Sequence, residues 1–241
     1  RLGDGFVLQR NLKRQGGDLG QVHALAQPAF VEARKRRRKN ENLAGDHRQR
    51  RTRVSLDHGI DDAGGRWADA LRWSVYRQDS ETTQRTFELR SNNTRRVMEH
   101  NFDQRLYGLQ GTFFKAFNTG EVAHDLPCGL DATVSDSKGK RDGTSTNLAT
   151  GVVSNVVGQD RFPVRDFPIT QTTKIGVYAQ DEMKFADGKF SLIPGLRVDY
   201  YKLDPTLDNI FAADNPGVAV SGLTETSASP KLGGIWRFTE H

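Results

Sequence analysis

The sequence predicts an all-β protein, an antiparallel up-and-down meander that forms part of a transmembrane β-barrel. Long segments alternate apolar and polar residues, as strands with one apolar face do. The connections between these segments alternate between short and long. Globular strands average about five or six residues, whereas a barrel strand crosses a bilayer with about 9–11. The long alternating segments therefore favour a barrel wall.

The clearest element is a hairpin over residues 172–202, in which the four residues 186–189 join two long arms. Asp187-Gly188 is typical of a tight turn, because glycine tolerates the positive φ that such turns need. In the second arm Ile193 is the one apolar residue on the polar face. The apolar face of that arm contains Phe190, Leu192, Pro194, Leu196, Val198 and Tyr200.

Further strands are predicted along the chain from the same alternation. Their ranges are 52–58, 67–77, 82–89 as a polar strand or extension, 100–117, 126–134 and 231–238. If the sheet is continuous, one face is apolar throughout. We expect that outer face to carry Leu71, Trp73, Val75, Leu109, Leu130, Leu192, Val198 and Trp236.

The lengths of the connections predict the end of the sheet at which each connection lies. The short ones are 59–66, 118–121 and 186–189, and the long ones are about 80–98, 136–171 and 203–228. Because every strand of a meander reverses direction, short turns should lie at one end and long loops at the other. A soluble domain rarely contains several structureless loops longer than about 12–15 residues. Aromatic residues near the short turns would form an interfacial girdle, namely Trp67, Phe117, Phe185, Phe190, Trp236 and Phe238.

The first 50 residues differ in composition from the rest. They contain 12 Lys and Arg against 5 Asp and Glu, a net charge of +7, whereas the other 191 residues carry −2. Residues 34–39 are an unbroken basic block, and such blocks are more often solvated than folded. We therefore divide the chain into a basic, poorly structured segment at 1–50, which we interpret as not native to the protein, and a β region at 51–241. A short helix over 22–38 is the ordered alternative for the segment.

Composition excludes several kinds of site. The single cysteine, Cys128, rules out an internal disulfide and a multi-cysteine zinc site. Mean hydropathy is −0.66, and the chain has no apolar run of about 18 residues that would predict a transmembrane helix. No catalytic motif is present, and the six histidines are scattered, so we predict no enzyme, no catalytic residue, no metal site and no bound cofactor. Polar residues of the long loops could face a ligand, among them Asp160, Arg161, Arg165 and Asp166.

Two blocks of the hairpin carry a resemblance to a known family. Residues 175–182, IGVYAQDE, and 190–200, FSLIPGLRVDY, resemble barrel strands of TonB-dependent outer-membrane receptors. The flanking residues 165–174 and 227–236 resemble the haem and haemoglobin branch, and they fit a neighbouring siderophore branch as well. The resemblance covers residues 51–241.

The resemblance implies a 22-stranded barrel in the bacterial outer membrane, of which about seven strands are present. It implies uptake of haem, haemoglobin-derived iron or a siderophore, with the TonB protein as a partner through a plug that precedes the barrel. Residues 1–50 do not match that plug, and the chain starts at Arg1, so we expect a partial barrel that does not transport alone. Ligand-binding residues stay unknown at this level.

A second interpretation, that the chain is a soluble protein, stays open beside the receptor interpretation. A β-rich binding protein could use the basic N-terminal arm to contact nucleic acid or another polyanion, with affinity that falls steeply with salt. No nucleic-acid-binding motif accompanies the arm, so we predict no nucleic-acid partner. Detergent dependence distinguishes the two, because only a lipid-facing barrel wall requires it.

Overall fold

One antiparallel sheet dominates the computed structural model, which describes residues 22–34, 43–63, 65 and 67–238, with the backbone alone at 22–34. The sheet has ten strands, and a separate pair, β7 and β8, lies in a loop. No helix among the described residues is long and apolar enough to cross a membrane. The elements are β1 (Val22–Arg34), β2 (Leu43–Ile60), β3 (Ala70–Arg90), β4 (Thr94–Thr119), β5 (Val122–Asn147), β6 (Val153–Ser154), β7 (Val156–Val157), β8 (Asp160–Arg161), β9 (Ile169–Gln180), β10 (Glu182–Phe185), β11 (Phe190–Thr206), α1 (Asn209–Asp214) and β12 (Leu223–Trp236).

The strand order confirms the predicted meander. Each long strand pairs antiparallel with the next one along the chain, and β9 and β10 together fill one position between β5 and β11. The break between β9 and β10 falls at Asp181, which lies opposite Leu126 of β5 and Pro194 of β11, while Pro127 of β5 lies opposite the preceding Gln180. Because proline has no N–H, ladder hydrogen bonds are missing on both sides near this break. The N–H of Asp181 still donates to the carbonyl of Pro194 at 3.0 Å.

The strand register confirms the predicted outer face. Cross-strand partners share a face, and one row of partners runs across six strands through Trp73, Gly111, Leu130, Val177, Val198 and Ala228. Residues an even number of positions away along each strand lie on the same face, which adds Leu71, Val75, Leu109, Leu192 and Trp236. The adjacent row on the opposite, inner face is mostly polar and contains Arg72, Thr112, Gly129, Tyr178, Arg197 and Ser229.

The connections also separate as predicted. Residues 61–69, 120–121 and 186–189 lie at one end of the sheet, here named the turn end. The connections 91–93, 148–168 and 207–222 lie at the other, named the loop end. At the turn end the aromatic rings of Phe185, Phe190, Trp236 and Phe238 follow one another with centroids 5.8, 5.8 and 6.4 Å apart.

Three predicted loops are shorter than expected, because strands extend into them. The polar strand or extension predicted at 82–89 is confirmed as part of β3, whereas the loop predicted at about 80–98 is wrong: β3 and β4 continue through it to a turn at 91–93. Similarly, β5 continues to Asn147, β11 continues to Thr206, and β12 begins at Leu223. The sequence predicts loops in these segments because they are mostly polar on both faces. Beyond the apolar band both faces of a strand meet water, so the backbone ladder persists without alternation.

The predicted boundary at Arg51 is not a structural boundary. Strand β2 begins at Leu43 and pairs with β3 from Leu43–Glu88 to Ile60–Leu71 without interruption. The segment 22–34, for which a helix was the ordered alternative, is strand β1 and pairs with β2. The register places Arg48, Arg50 and Arg51 of β2 opposite Ala33, Val31 and Phe30 of β1, so these cations do not face cations and the backbone ladder forms despite the net positive charge. Most of the basic block 34–39 lies outside the described residues.

Candidate ligand-facing site

Large side chains lie flat on the inner face wherever a glycine sits beneath them. A Cβ on Gly108 would lie 2.1 Å from Cζ of Tyr76, and one on Gly176 would lie 2.1 Å from a guanidinium nitrogen of Arg197. The guanidinium of Arg53 stacks over the Tyr76 ring at 3.8 Å. Glycine is the only residue that permits these contacts, so the inner wall is flat and polar.

One loop at the loop end folds back onto this wall. Residues 148–168, named the seated loop, place Phe162 over Gly143 and Phe167 over Gly139. A Cβ at those glycines would lie 2.7 and 2.6 Å from the respective rings. Val157, Phe162 and Val164 are 7%, 3% and 1% exposed and pack against Met98 of β4. The seated loop is therefore a small packed layer on the inner face.

Arg141 of β5 fixes the seated loop by charge. Its guanidinium donates three hydrogen bonds to the Asp166 carboxylate, at 3.1, 2.9 and 2.7 Å, and one to Asp160 at 2.9 Å. Its backbone also exchanges hydrogen bonds with Val164, at 2.9 and 3.0 Å. The hydrogen bond to the Asp166 carboxylate, with the nearby charge of Asp160, raises the pKa of Arg141 above its usual value. Arg141 therefore binds the Asp166 carboxylate in the bidentate manner and so holds the seated loop against the wall.

Arg165 connects the seated loop to a second one, residues 207–222, named the helical loop because it contains α1. The Arg165 guanidinium contacts Asp208 at 3.0 Å and donates to the carbonyl of Gly139 in β5. Its backbone N–H donates to Asp214 at 3.2 Å, and its carbonyl accepts from the side chain of Asn215 at 3.0 Å. Arg165 therefore contacts both ends of α1.

The structure assigns most of the predicted loop residues to these internal contacts. Asp160 and Asp166 bind Arg141, and Arg165 is buried. Arg161 remains exposed in β8. The sequence does not indicate a role for Arg141 or Asp208, because the charged residues that each one contacts lie at least 19 positions away along the chain. The pattern Asp208-x-x-Phe211, an N-cap before a short apolar turn, was the local signal available.

The site is equipped for binding by shape and polarity. Within the described residues, no group of three or more His, Cys, Asp and Glu side chains could hold a metal ion. Two of the scattered histidines lie away from this site, near the turn end. His58 accepts a hydrogen bond from Trp73 at 3.1 Å, and His124 contacts Asp181 at 2.7 Å. The two loops also expose apolar side chains at the loop end, 44–63% accessible, namely Leu148, Val152, Val153, Leu207 and Val218. Such side chains offer apolar contact beside the polar wall.

Comparison with known proteins identifies a family and solved structures that share this architecture. A family model described as TonB dependent receptor-like, beta-barrel matches residues 3–241, which includes the basic N-terminal fifth. No curated protein sequence matches the chain.

Two solved structures share the fold. The ferric preacinetobactin receptor BauA from Acinetobacter baumannii aligns with a TM-score of 0.54 and 15% identity, over 81% of this chain and 29% of that protein. The ferric citrate transporter FecA in its unliganded form aligns with a TM-score of 0.60 and 12% identity, over 93% of this chain and 32% of that protein. At these identities the likeness is one of fold. The chain spans about a third of the length of either protein.

Proposed function

The chain belongs to the TonB-dependent receptor β-barrel family, and on that premise we propose that it forms part of the wall of a receptor that imports an iron complex across the bacterial outer membrane. The observation that carries the proposal is the continuous apolar outer row opposite a polar inner row, over at least six strands. A lipid-facing surface and a water-facing lumen require this division. The rival soluble binding protein would leave the apolar face exposed to water.

Transport and not catalysis is the proposed activity. The resemblance of the hairpin implies energy from TonB, delivered through a plug inside the barrel, and the inner wall described here is where such a plug would lie. Outer-membrane lipid is the proposed partner of the outer face. The polar flat wall and its seated loop would guide the ligand and would not alter it chemically.

For the ligand we propose haem or haemoglobin-derived iron, with a ferric siderophore as the second candidate. Residues 165–174 and 227–236 support the haem branch by resemblance, and the exposed apolar side chains of the two loops would suit a flat apolar ligand such as a porphyrin. The second candidate is supported by the two structural neighbours, whose own ligands are named as ferric preacinetobactin and ferric citrate.

Growth under iron limitation tests the proposal. The complete receptor that contains this chain is expressed in a bacterium lacking its own iron receptors, with and without a functional TonB. We expect growth on haemoglobin or haemin as sole iron source, only in the TonB-positive strain. Growth on ferric siderophores alone would contradict the haem assignment but support iron-complex uptake. Growth on none of these, with the receptor present in the outer membrane, would contradict the proposed function.

A further inference from the structure

The helical loop depends on another loop for its position. Helix α1 has six residues, Asn209–Asp214, and isolated helices of that length are not stable in water. Its own contacts are an N-cap from Asp208 to the N–H of Phe211 at 2.9 Å and a bond from Asn215 N–H to the Phe211 carbonyl at 2.8 Å. Phe211, which is 4% exposed, is its one buried residue. Something outside the helix must therefore stabilise it.

Arg165 makes the contacts that meet this requirement. Asp208 uses one carboxylate oxygen as the N-cap and presents the other to the Arg165 guanidinium at 3.0 Å. At the far end, Asn215 donates to the Arg165 carbonyl while Asp214 accepts from its N–H. Arg165 is 6% exposed, whereas the side chain of its partner Asp208 is 27% exposed. Removal of Asp208 would therefore leave the buried Arg165 charge without its carboxylate, and removal of Arg165 would take away the contacts at both ends of α1.

The second arm of the guanidinium ties the pair to the barrel wall. It donates to the carbonyl of Gly139 in β5, and the neighbouring Asp166 is bound by Arg141 of the same strand. A chain of contacts thus runs from β5 through Arg165 to both ends of α1.

We infer that Arg165 is a positioning residue that joins the seated loop and the helical loop into one body, so that α1 forms and stays over the inner face only while the seated loop is in place. The two loops then present a single surface to a ligand, and the helical loop does not move alone. The inference goes beyond the proposed uptake of iron, because it concerns an internal coupling that exists without any ligand.

Amide hydrogen exchange on the full receptor in detergent, without ligand, tests the coupling. Arg165→Ala is expected to speed exchange at Phe211, Ala212 and Asn215 at least tenfold, while the ladder of β11 keeps its protection. Arg165→Lys keeps a charge for Asp208 and is expected to restore part of the protection. The matched control is Arg161→Ala, in the same loop but exposed, which is expected to leave exchange in α1 unchanged.

A second pair of variants separates the coupling from simple capping. Asp208→Ser keeps an N-cap acceptor but removes the ion pair, whereas Asp208→Ala removes both. We expect both to increase exchange in α1. Unchanged exchange in Arg165→Ala, or protection in Asp208→Ser equal to that of the unaltered protein, would overturn the inference. If Arg165→Ala also loses protection in β11, the variant has disturbed the sheet itself. In that case the exchange rate of α1 in Asp208→Ser decides whether the inference holds. None of these outcomes depends on which ligand the receptor imports.

Discussion

Glycines determine how closely the inner wall packs. Where Gly108, Gly129, Gly139, Gly143 and Gly176 occur, a large side chain from a neighbouring strand or loop lies across the backbone. Any Cβ at these positions would push that side chain into the lumen. At the scale of single residues, the inner wall is therefore flat because glycines leave room for the large side chains that lie across them.

Gly129 gives the sharpest test of this at the residue scale. A Cβ there would lie 2.4 Å from the backbone carbonyl oxygen of Gly111 and 2.8 Å from the Tyr178 hydroxyl, and the carbonyl cannot rotate away. We expect Gly129→Ala to lower the free energy of unfolding by about 1–3 kcal/mol, the usual range for overpacking. The measurement is the urea midpoint of the folded receptor. Gly195→Ala is the control, since its nearest contact would be 3.5 Å, and equal effects of the two variants would contradict the argument.

At the scale of elements, the sequence predicts the lipid-facing part well and the part beyond it poorly. The sequence predicts the hairpin at 172–202, the connections of the turn end and the outer-face residues, because alternation is enforced wherever one face is apolar. At the loop end it predicts loops where β4 and β5 continue, and only a polar strand or extension where β3 continues. Their side chains are polar on both faces, so no period-two pattern marks them. The predicted boundary at Arg51, which lies inside β2, rests on net charge and is wrong because charge does not mark where a strand begins.

The seated loop could not be predicted as an element, because its fold depends on tertiary pairs. Arg141 binds Asp160 and Asp166, residues 19 and 25 positions away, and nothing local in the sequence marks that pairing. The four loop residues named from the sequence were selected for polarity alone. Three of them hold the loop together, so polarity in this loop indicates internal contacts at least as much as ligand contacts.

Removal of the Arg141 side chain tests the anchoring of this loop. The ion pairs are partly exposed, so we expect Arg141→Ala to lower the local opening free energy of the seated loop by about 1 kcal/mol and no more. Backbone bonds to Val164 remain in the variant. Limited proteolysis should cleave within 148–168 roughly fivefold faster in the variant, since 1 kcal/mol corresponds to about that ratio. Lys140→Ala, on the opposite face beside it, should leave cleavage unchanged. Equal cleavage rates in all three proteins would contradict the anchoring role.

At the scale of the whole molecule, the two faces of the sheet should respond oppositely to charge. Leu109 lies on the outer face and Gln110, the next residue, on the inner face, and both are exposed. Leu109→Arg is expected to destabilise the membrane-inserted barrel by about 2–4 kcal/mol, as an arginine on a lipid-facing strand does near the bilayer midplane. Gln110→Arg faces Asp131 across the strand pair and should be tolerated. Folding yield into lipid vesicles measures both, and a larger loss for Gln110→Arg would contradict the assignment of faces.

The two ends of the sheet should also lie on opposite sides of the outer membrane. The turn end carries 186–189, where Ala186, Asp187 and Gly188 all have positive φ and close a tight turn. The loop end carries the seated and helical loops, which are long enough to extend outside the cell, whereas short turns face the periplasm in such barrels. An epitope inserted in the complete receptor at Thr150 or Val218 should bind antibody on intact cells, and neither position contacts Arg165. One inserted at Asp187 should bind only after the outer membrane is permeabilised. Labelling at Asp187 on intact cells would reverse the orientation, and it would place the seated loop and Arg165 on the periplasmic side, where they could not be the first surface that an external ligand meets.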